Sequence, residues 1–169
     1  MAAVRTLRLS RIALVVAVAV FFTLVAFGNV TDYGANWQFV THVLSMDTTF
    51  RDPDLMWRAV TDPTLQRIAY GLIIAWQAST ALLLWVGVTR LLRAIGGDPD
   101  EFAEARTVAI AGLTMGLLLY AVGFLVVAGE WFAIWQSHDW NGQASAAIFV
   151  LFIGLALLHL CGPEPEWRP

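Results

Sequence analysis

The chain has 169 residues, 59% hydrophobic and only 14% charged, with mean hydropathy +0.68 and a formal charge of −3. Soluble domains average about 25% charged residues, so this composition excludes an ordinary hydrated surface and points to one compact membrane-embedded unit. Lysine is absent, no basic patch exists for nucleic acid, and the single Cys161 excludes an internal disulfide or a cysteine-based zinc or iron–sulfur framework.

A helix crossing the bilayer needs roughly 20 mostly apolar residues. Four segments meet that need or nearly do, at about 12–30, 66–89, 107–129 and 145–161. None shows the alternation of a membrane barrel strand, and only helices or closed barrels satisfy the backbone in lipid. The expected fold is all-α: an integral membrane four-helix bundle, one domain over 1–169, with a partly helical periplasmic loop between spans one and two.

The first span, "RIALVVAVAVFFTLVAF", follows a basic start and ends in "AFG". A cleavable signal peptide with Asn29 as the mature N-terminus also fits that pattern. The length of the run, which continues through Phe27, favours an uncleaved span.

Residues 32–63 then form an expected outer cap. Within "GNVTDYGANWQFVTHVLSMDTTF", the apolar Trp37, Phe39, Val40, Val43 and Leu44 fall on one side of a helix, and Gln38, Thr41, His42 and Ser45 on the other. This suits an amphipathic helix on the outer surface or over the bundle mouth. Asn29-Val30-Thr31 is formally a glycosylation sequon, but it lies too near the membrane to carry weight.

Asp52-Pro53 opens a possible short helix through "DLMWRAV", and Asp62-Pro63 gives an N-cap and first-turn proline for span two. After span two, Gly96-Gly97 stands where a helix C-terminus takes a left-handed residue. Asp98, Pro99, Asp100 and Glu101 follow as N-cap, first helical position and first-turn acids. The middle loop is therefore a tight helix-turn-helix.

Arg5, Arg8, Arg11, Arg90, Arg93, Arg106 and Arg168 lie on one side of these spans, against Arg51, Arg58 and Arg67 on the other. The bias places both termini and the middle loop in the cytoplasm. Spans one and three are each followed by a glycine, an acid and Trp-Gln (Trp37-Gln38, Trp135-Gln136). Duplication of a helical hairpin or an ordinary aromatic belt explains that echo.

No G-x-S-x-G, H-E-x-x-H, glycine-rich phosphate loop or C-x-x-C occurs, and without lysine Schiff-base chemistry is excluded. The expectation is a non-enzymatic protein without a cofactor. Gln77 sits mid-span beside Ser79 and Thr80, and Glu130 closes span three. With His42 and His138 in the outer loops, they are candidates to line a polar cavity for an ion, a quinone or another small molecule. The outer histidines with Asp32, Glu130 or Asp139 are a weaker metal candidate, and His159 a weaker haem ligand, because no ligand spacing supports either. The structural alternative is preferred: Gln77 bonds across helices and Glu130 snorkels to water. Small residues at four-residue spacing (Gly71, Ala75 and Ser79; Gly112 and Gly116; Ala13 and Ala17) are expected to pack helices within the bundle, or against another subunit.

The phrases "NVTDYGANWQFVTHVLSMDTTF" and "DLMWRAVTDPTLQRIAYGLIIAWQASTALLLWVG", most specifically Asp47-Thr48-Thr49-Phe50 and Met56-Trp57-Arg58-Ala59, resemble a family of bacterial predicted small integral membrane proteins, domain-of-unknown-function family 2165. The resemblance implies a four-span protein of the bacterial inner membrane and no established activity. The expected role is an accessory or scaffold subunit, in contact with the lipid bilayer and with other membrane subunits or a second copy of itself. Small-molecule binding or transport through a polar cavity is the alternative.

Overall fold

The computed structural model describes residues 2–164, so Arg168 lies outside the described residues. Five α-helices run α1 Ala2–Thr31, α2 Tyr33–Ser45, α3 Pro63–Arg93, α4 Pro99–Leu118 and α5 Gln143–Cys161, and α4 continues as a π-helical segment, Leu119–Trp131. Single 3-10 turns at Met56–Arg58 and Ile134–Gln136 complete the order, with no strand among the described residues. Four of these units are long and apolar enough to cross a membrane: α1, α3, α4 with its π segment, and α5. They exceed the expected spans mainly at the end bearing the termini, where α1 begins at Ala2 and α4 at Pro99.

Local chemistry sets the helix starts. Asp62 accepts from the backbone N–H groups of Thr64 (2.7 Å) and Leu65 (3.1 Å), with Pro63 at the first helical position. Those two donors hold its carboxyl below the usual carboxylate range. Asp98 accepts from Glu101 N–H at 2.8 Å and starts α4 in the same way.

The end of α3 corrects the expectation for Gly96-Gly97: no glycine among the described residues has a positive φ, and α3 stops at Ala94 (φ −89°, ψ 3°). The carbonyls of the turn that follows α3 are gathered by Arg8 of α1. Its Nη1 donates to Ala94 O (3.4 Å), Ile95 O (3.2 Å) and Gly97 O (2.7 Å). Arg11 does the same for α5, donating to His159 O (3.1 Å), Gly162 O (2.6 Å) and Pro163 O (2.8 Å), and Arg106 donates to Leu160 O (3.0 Å). Both α1 arginines pair with Glu164, at 2.8 and 3.1 Å, and Arg8 lies 4.4 Å from the centre of the Phe102 ring. Each is only 1% exposed.

The helices pack in a ring, α1 beside α3, α3 beside α4, α4 and its π segment beside α5, and α5 beside α1. Phe22, Leu84, Leu113 and Ile153 meet fully buried in its core. The expected α1 span supplies part of that core, through Val15, Val18, Ala19 and Phe22. Outside, Leu24, Leu82, Leu151 and Leu158 are exposed, as a lipid-facing surface requires.

Small residues divide by face. A Cβ on Gly116 would meet Phe22 Cε2 at 2.6 Å, and one on Gly112 would meet Leu84 Cδ2 at 2.9 Å, so both admit a neighbouring helix. A Cβ on Gly87 would meet the backbone of Ala109 itself, at 2.8 Å from its Cα. The α3 stripe of Gly71, Ala75 and Ser79 does not pack within the bundle as expected, and neither do Ala13 and Ala17. All five are exposed on outer faces, and a Cβ at Gly71 would meet nothing within 4 Å.

A second core lies under the cap, where Val43 and Met46 meet Phe132, Ala133 and Ile134. Val60 N–H donates to Leu44 O (2.7 Å), which folds the loop before α3 back onto α2, and Thr48 pairs with Ser137 (2.8 Å), which ties the segment after α2 to the loop after the π segment. Met46 ends α2 in the left-handed region (φ 53°) although it is not glycine. That conformation costs about 1–2 kcal/mol. Burying the side chain to 1% exposure returns about 1.5–3 kcal/mol. The stretch after Asp52-Pro53 forms only the Met56–Arg58 turn. Trp37-Gln38 lies inside α2 and Trp135-Gln136 in a 3-10 turn, so the two halves of the echo have different conformations.

Three outcomes are expected. Arg8→Met strands several carbonyls and Glu164, and should lower thermal stability in detergent by about 3–5 kcal/mol; Arg8→Lys, lacking the planar fork, should restore little of it. Gly116→Val should destabilise by about 1–3 kcal/mol through overpacking against Phe22. Gly71→Ala should be neutral or stabilising by up to about 1 kcal/mol, given its open surroundings and the helix preference of alanine.

Candidate functional site, a polar cavity beneath the cap

Along the buried face of α3 run Gln66, Tyr70, Gln77 and Thr80, followed by Leu84 and Leu91. The polar members lie toward the cap. Gln66 Nε2 donates to Val60 O at 2.8 Å and closes the cap onto α3. Gln77 sits deeper, about 15 Å along the helix from Arg67 and about 20 Å from Arg90 at about 1.5 Å per residue.

At Gln77 the structure assembles a chain of hydrogen bonds with one direction. The Tyr70 hydroxyl donates to Asn29 O and Oδ1, both at 3.2 Å, and Asn29 Nδ2 donates to Gln77 Oε1 at 2.6 Å. Tyr70 is 1% exposed, Gln77 3% and Asn29 7%. Gln77 Nε2 makes no hydrogen bond among the described residues and stands as the free donor at the end of the chain.

That end borders a cavity of about 290 Å³ between α1, α2, α3, the π segment and α5. Asn29, Tyr70, Gln77 and Tyr120 contribute its buried polar groups, Phe39, Phe124 and Phe149 its aromatic walls, and the exposed Asn36 and Ser145 stand at its rim. Tyr120 is packed against Phe149 (4.8 Å between ring centres) and Phe124 (5.3 Å). Its hydroxyl has no hydrogen-bond partner among the described residues. Tyr120 and Phe124 belong to the π segment, whose wider turn is visible in Phe132 N–H donating five residues back to Val127 O at 3.1 Å.

An adjoining apolar groove of about 330 Å³ shares Phe39, Val40, Ile73 and Phe124 with the cavity. It runs between α3 and the π segment under Val43 and Leu44 of α2.

Of the four residues expected to line one polar cavity, only Gln77 does so. Glu130 is exposed and borders a separate open depression with Arg58 and Trp131. His42 stacks on Trp140 (4.5 Å between ring centres) and pairs with Asp47 at 2.9 Å. His138 is almost fully exposed and pairs with Asp139 at 2.8 Å, a hydrogen bond that raises its pKa. The reason is positional: Glu130 and the two histidines belong to the rim and surface of the cap, whereas Gln77 faces inward below it. No three His, Cys, Asp or Glu side chains come together to hold a metal ion among the described residues. His159 lies far from the cavity, 2.9 Å from Ser10 near the termini.

Sequence reasoning missed Asn29, Tyr70 and Tyr120. Tyr70 had a legible signal, since it lies seven residues before Gln77 on one helix face. Asn29 and Tyr120 come from other helices, and nothing local points to them.

Residues 7–163 match the model of a family described as predicted small integral membrane protein (DUF2165). No curated protein and no solved structure matches the chain.

Gln77→Leu removes the acceptor for Asn29 Nδ2 and should cost about 1–3 kcal/mol in thermal stability. Gln77→Glu keeps an acceptor for that bond and should cost less, so comparing the two melts separates the lost bond from altered packing.

Proposed function

The chain belongs to that family of predicted small integral membrane proteins, and from this premise we propose that it binds a small neutral molecule in the cavity beneath its cap. The observation that carries the reading is Gln77, an amide 3% exposed whose Nε2 is left as an unpaired donor on a cavity of about 290 Å³. That nitrogen opens onto the cavity rather than being sealed in the core, so a ligand bearing an acceptor meets a donor that no protein group occupies. Amides, phenols and a hydroxyl supply the cavity's polar lining, which suits binding rather than catalysis.

A second reading, an accessory subunit held beside a larger membrane complex or a second copy of itself, is favoured by the exposed α3 stripe of Gly71, Ala75 and Ser79. The two readings are compatible, because the stripe and the cavity occupy different faces of α3. We further propose a bacterial cytoplasmic membrane with the arginine-rich end, which bears the termini, inside.

Gentle purification followed by mass spectrometry of everything extracted should recover a neutral small molecule near one per chain from the native protein. Gln77→Leu should reduce that recovery at least tenfold. Equal recovery from both proteins, or none from the native one, would overturn the reading. Reporter fusions after Arg93 and after Asp139 should report opposite sides of the membrane.

A further inference from the structure

We propose that the ligand is a neutral membrane lipid with a carbonyl-bearing head, seated with the head at Gln77 and the hydrocarbon tail in the groove between α3 and the π segment. The proposal rests on the small-molecule reading above and adds the ligand's class, its pose and its route of entry.

Three observations define the class. The first is adjacency: cavity and groove lie against the same Phe39, Val40, Ile73 and Phe124, so a head in one and a tail in the other are separated by no more than these side chains. Their chemistry differs sharply along that path, with Asn29, Gln77 and Tyr120 at one end and only aliphatic and aromatic side chains or glycine at the other. An amphipathic molecule is the matching shape. At about 290 and 330 Å³, the two hollows each lie near the lower limit of small-molecule sites, and joined they fall within the range of about 300–1,000 Å³.

The second is hydrogen-bond direction. Tyr70 donates to Asn29, and Asn29 donates to Gln77 Oε1, which leaves the Gln77 –NH₂ group as the terminal donor. The Tyr120 hydroxyl, also without a partner among the described residues, supplies another. A carbonyl oxygen accepts from such groups without needing to donate in return.

The third is charge. No Arg, His, Asp or Glu side chain lines either the cavity or the groove. A phosphate or carboxylate head would enter a low-dielectric site without a counter-ion, which disfavours it strongly. A neutral head carries no such penalty.

The groove also supplies a route. Leu72 and Val127 stand at its mouth, 66% and 41% exposed, on opposite walls that both belong to helices long enough to cross a membrane. The mouth therefore faces acyl chains, and the ligand enters sideways from the bilayer.

Two sources provide this chemistry, a prenylquinone and a diacylglycerol, and the test separates them. The full chain is reconstituted in phosphatidylcholine nanodiscs and titrated with decylubiquinone and with dioctanoylglycerol. Each is compared with its tail-less counterpart, a dimethoxy-methyl-benzoquinone and diacetylglycerol, and binding is read by native mass spectrometry and by melting-temperature shift. One tailed probe should bind saturably, at least tenfold more tightly than its tail-less counterpart, and the probe that does so identifies the source. Gln77→Leu should weaken that binding at least tenfold. So should Gly123→Leu, which projects into the groove from a position where a Cβ meets nothing closer than Leu119 Cδ1 at 3.8 Å. Ala69→Leu fills the groove from the facing wall and gives an independent repeat. Tail-less heads binding as tightly as tailed ones would overturn the lipid pose and leave the small-molecule reading standing. Failure of both tailed probes would overturn the lipid class, and if no small molecule co-purifies either, both proposals fall. The tailed-against-tail-less comparison uses the unaltered protein, so it decides the matter even where a groove variant does not fold.

Discussion

The bundle depends on how the carbonyls at two helix ends are satisfied. An α-helix leaves its last four carbonyls without intrahelical partners, and its C-terminus carries partial negative charge. Here α3 and α5 end at the same end of the bundle, on either side of α1, which brings Arg8 to one terminus and Arg11 to the other. Burying two guanidinium groups is costly in isolation. The cost is offset because their donors reach backbone carbonyls and the Glu164 carboxylate in a planar fork that lysine cannot reproduce.

That anchor has a consequence at the other end of α1. Arg8 and Asn29 lie about 32 Å apart along a helix that rises about 1.5 Å per residue. With Arg8 fixed against the α3 terminus, the register of α1 brings Asn29 to Gln77 and Tyr70. A slip of one residue would shift Asn29 by about 1.5 Å and turn it by about 100°, enough to break both contacts. The two ends of the bundle therefore specify one another, one through charge-assisted bonds and the other through neutral amides.

What could be read from the sequence was what depends on neighbours in the chain. The four spans, the Asp62 and Asp98 caps and the amphipathic α2 follow from local pattern and appear in the fold. Gly96-Gly97 misled because the partner of the α3 carbonyls comes from α1, far away in sequence. The Gly71, Ala75 and Ser79 stripe misled because residue size does not say which face of a helix turns inward. In a membrane span the outer face is also apolar, so amphipathicity cannot settle it. At the site, Gln77 was conspicuous as a lone amide in mid-span. Its partners were not, since Asn29 and Tyr120 reach it only through the packing of three helices. The same limit explains why Glu130, His42 and His138, plausible companions by composition, lie outside the cavity.

The contrast between the two halves of the bundle bears on what the cavity is for. Near the termini, Leu91, Phe102 and Leu160 are fully buried in the core and the hollows are lined by arginines, whereas the cap half contains two adjoining hollows without a charged side chain. Both hollows are open on one side, and their walls forgo the packing contacts that a filled core would make, which is a cost in dispersion energy. A larger side chain at Gly123 would remove part of that cost, because the backbone there has room for one. The π segment sharpens the point. The segment that takes this wider turn is the one that contributes Tyr120 and Phe124 to the cavity wall. An open groove, an amide donor without a protein partner and a π helix each depart from a closely filled bundle. All three fall at one place, which is the pattern expected where binding rather than packing has shaped the structure.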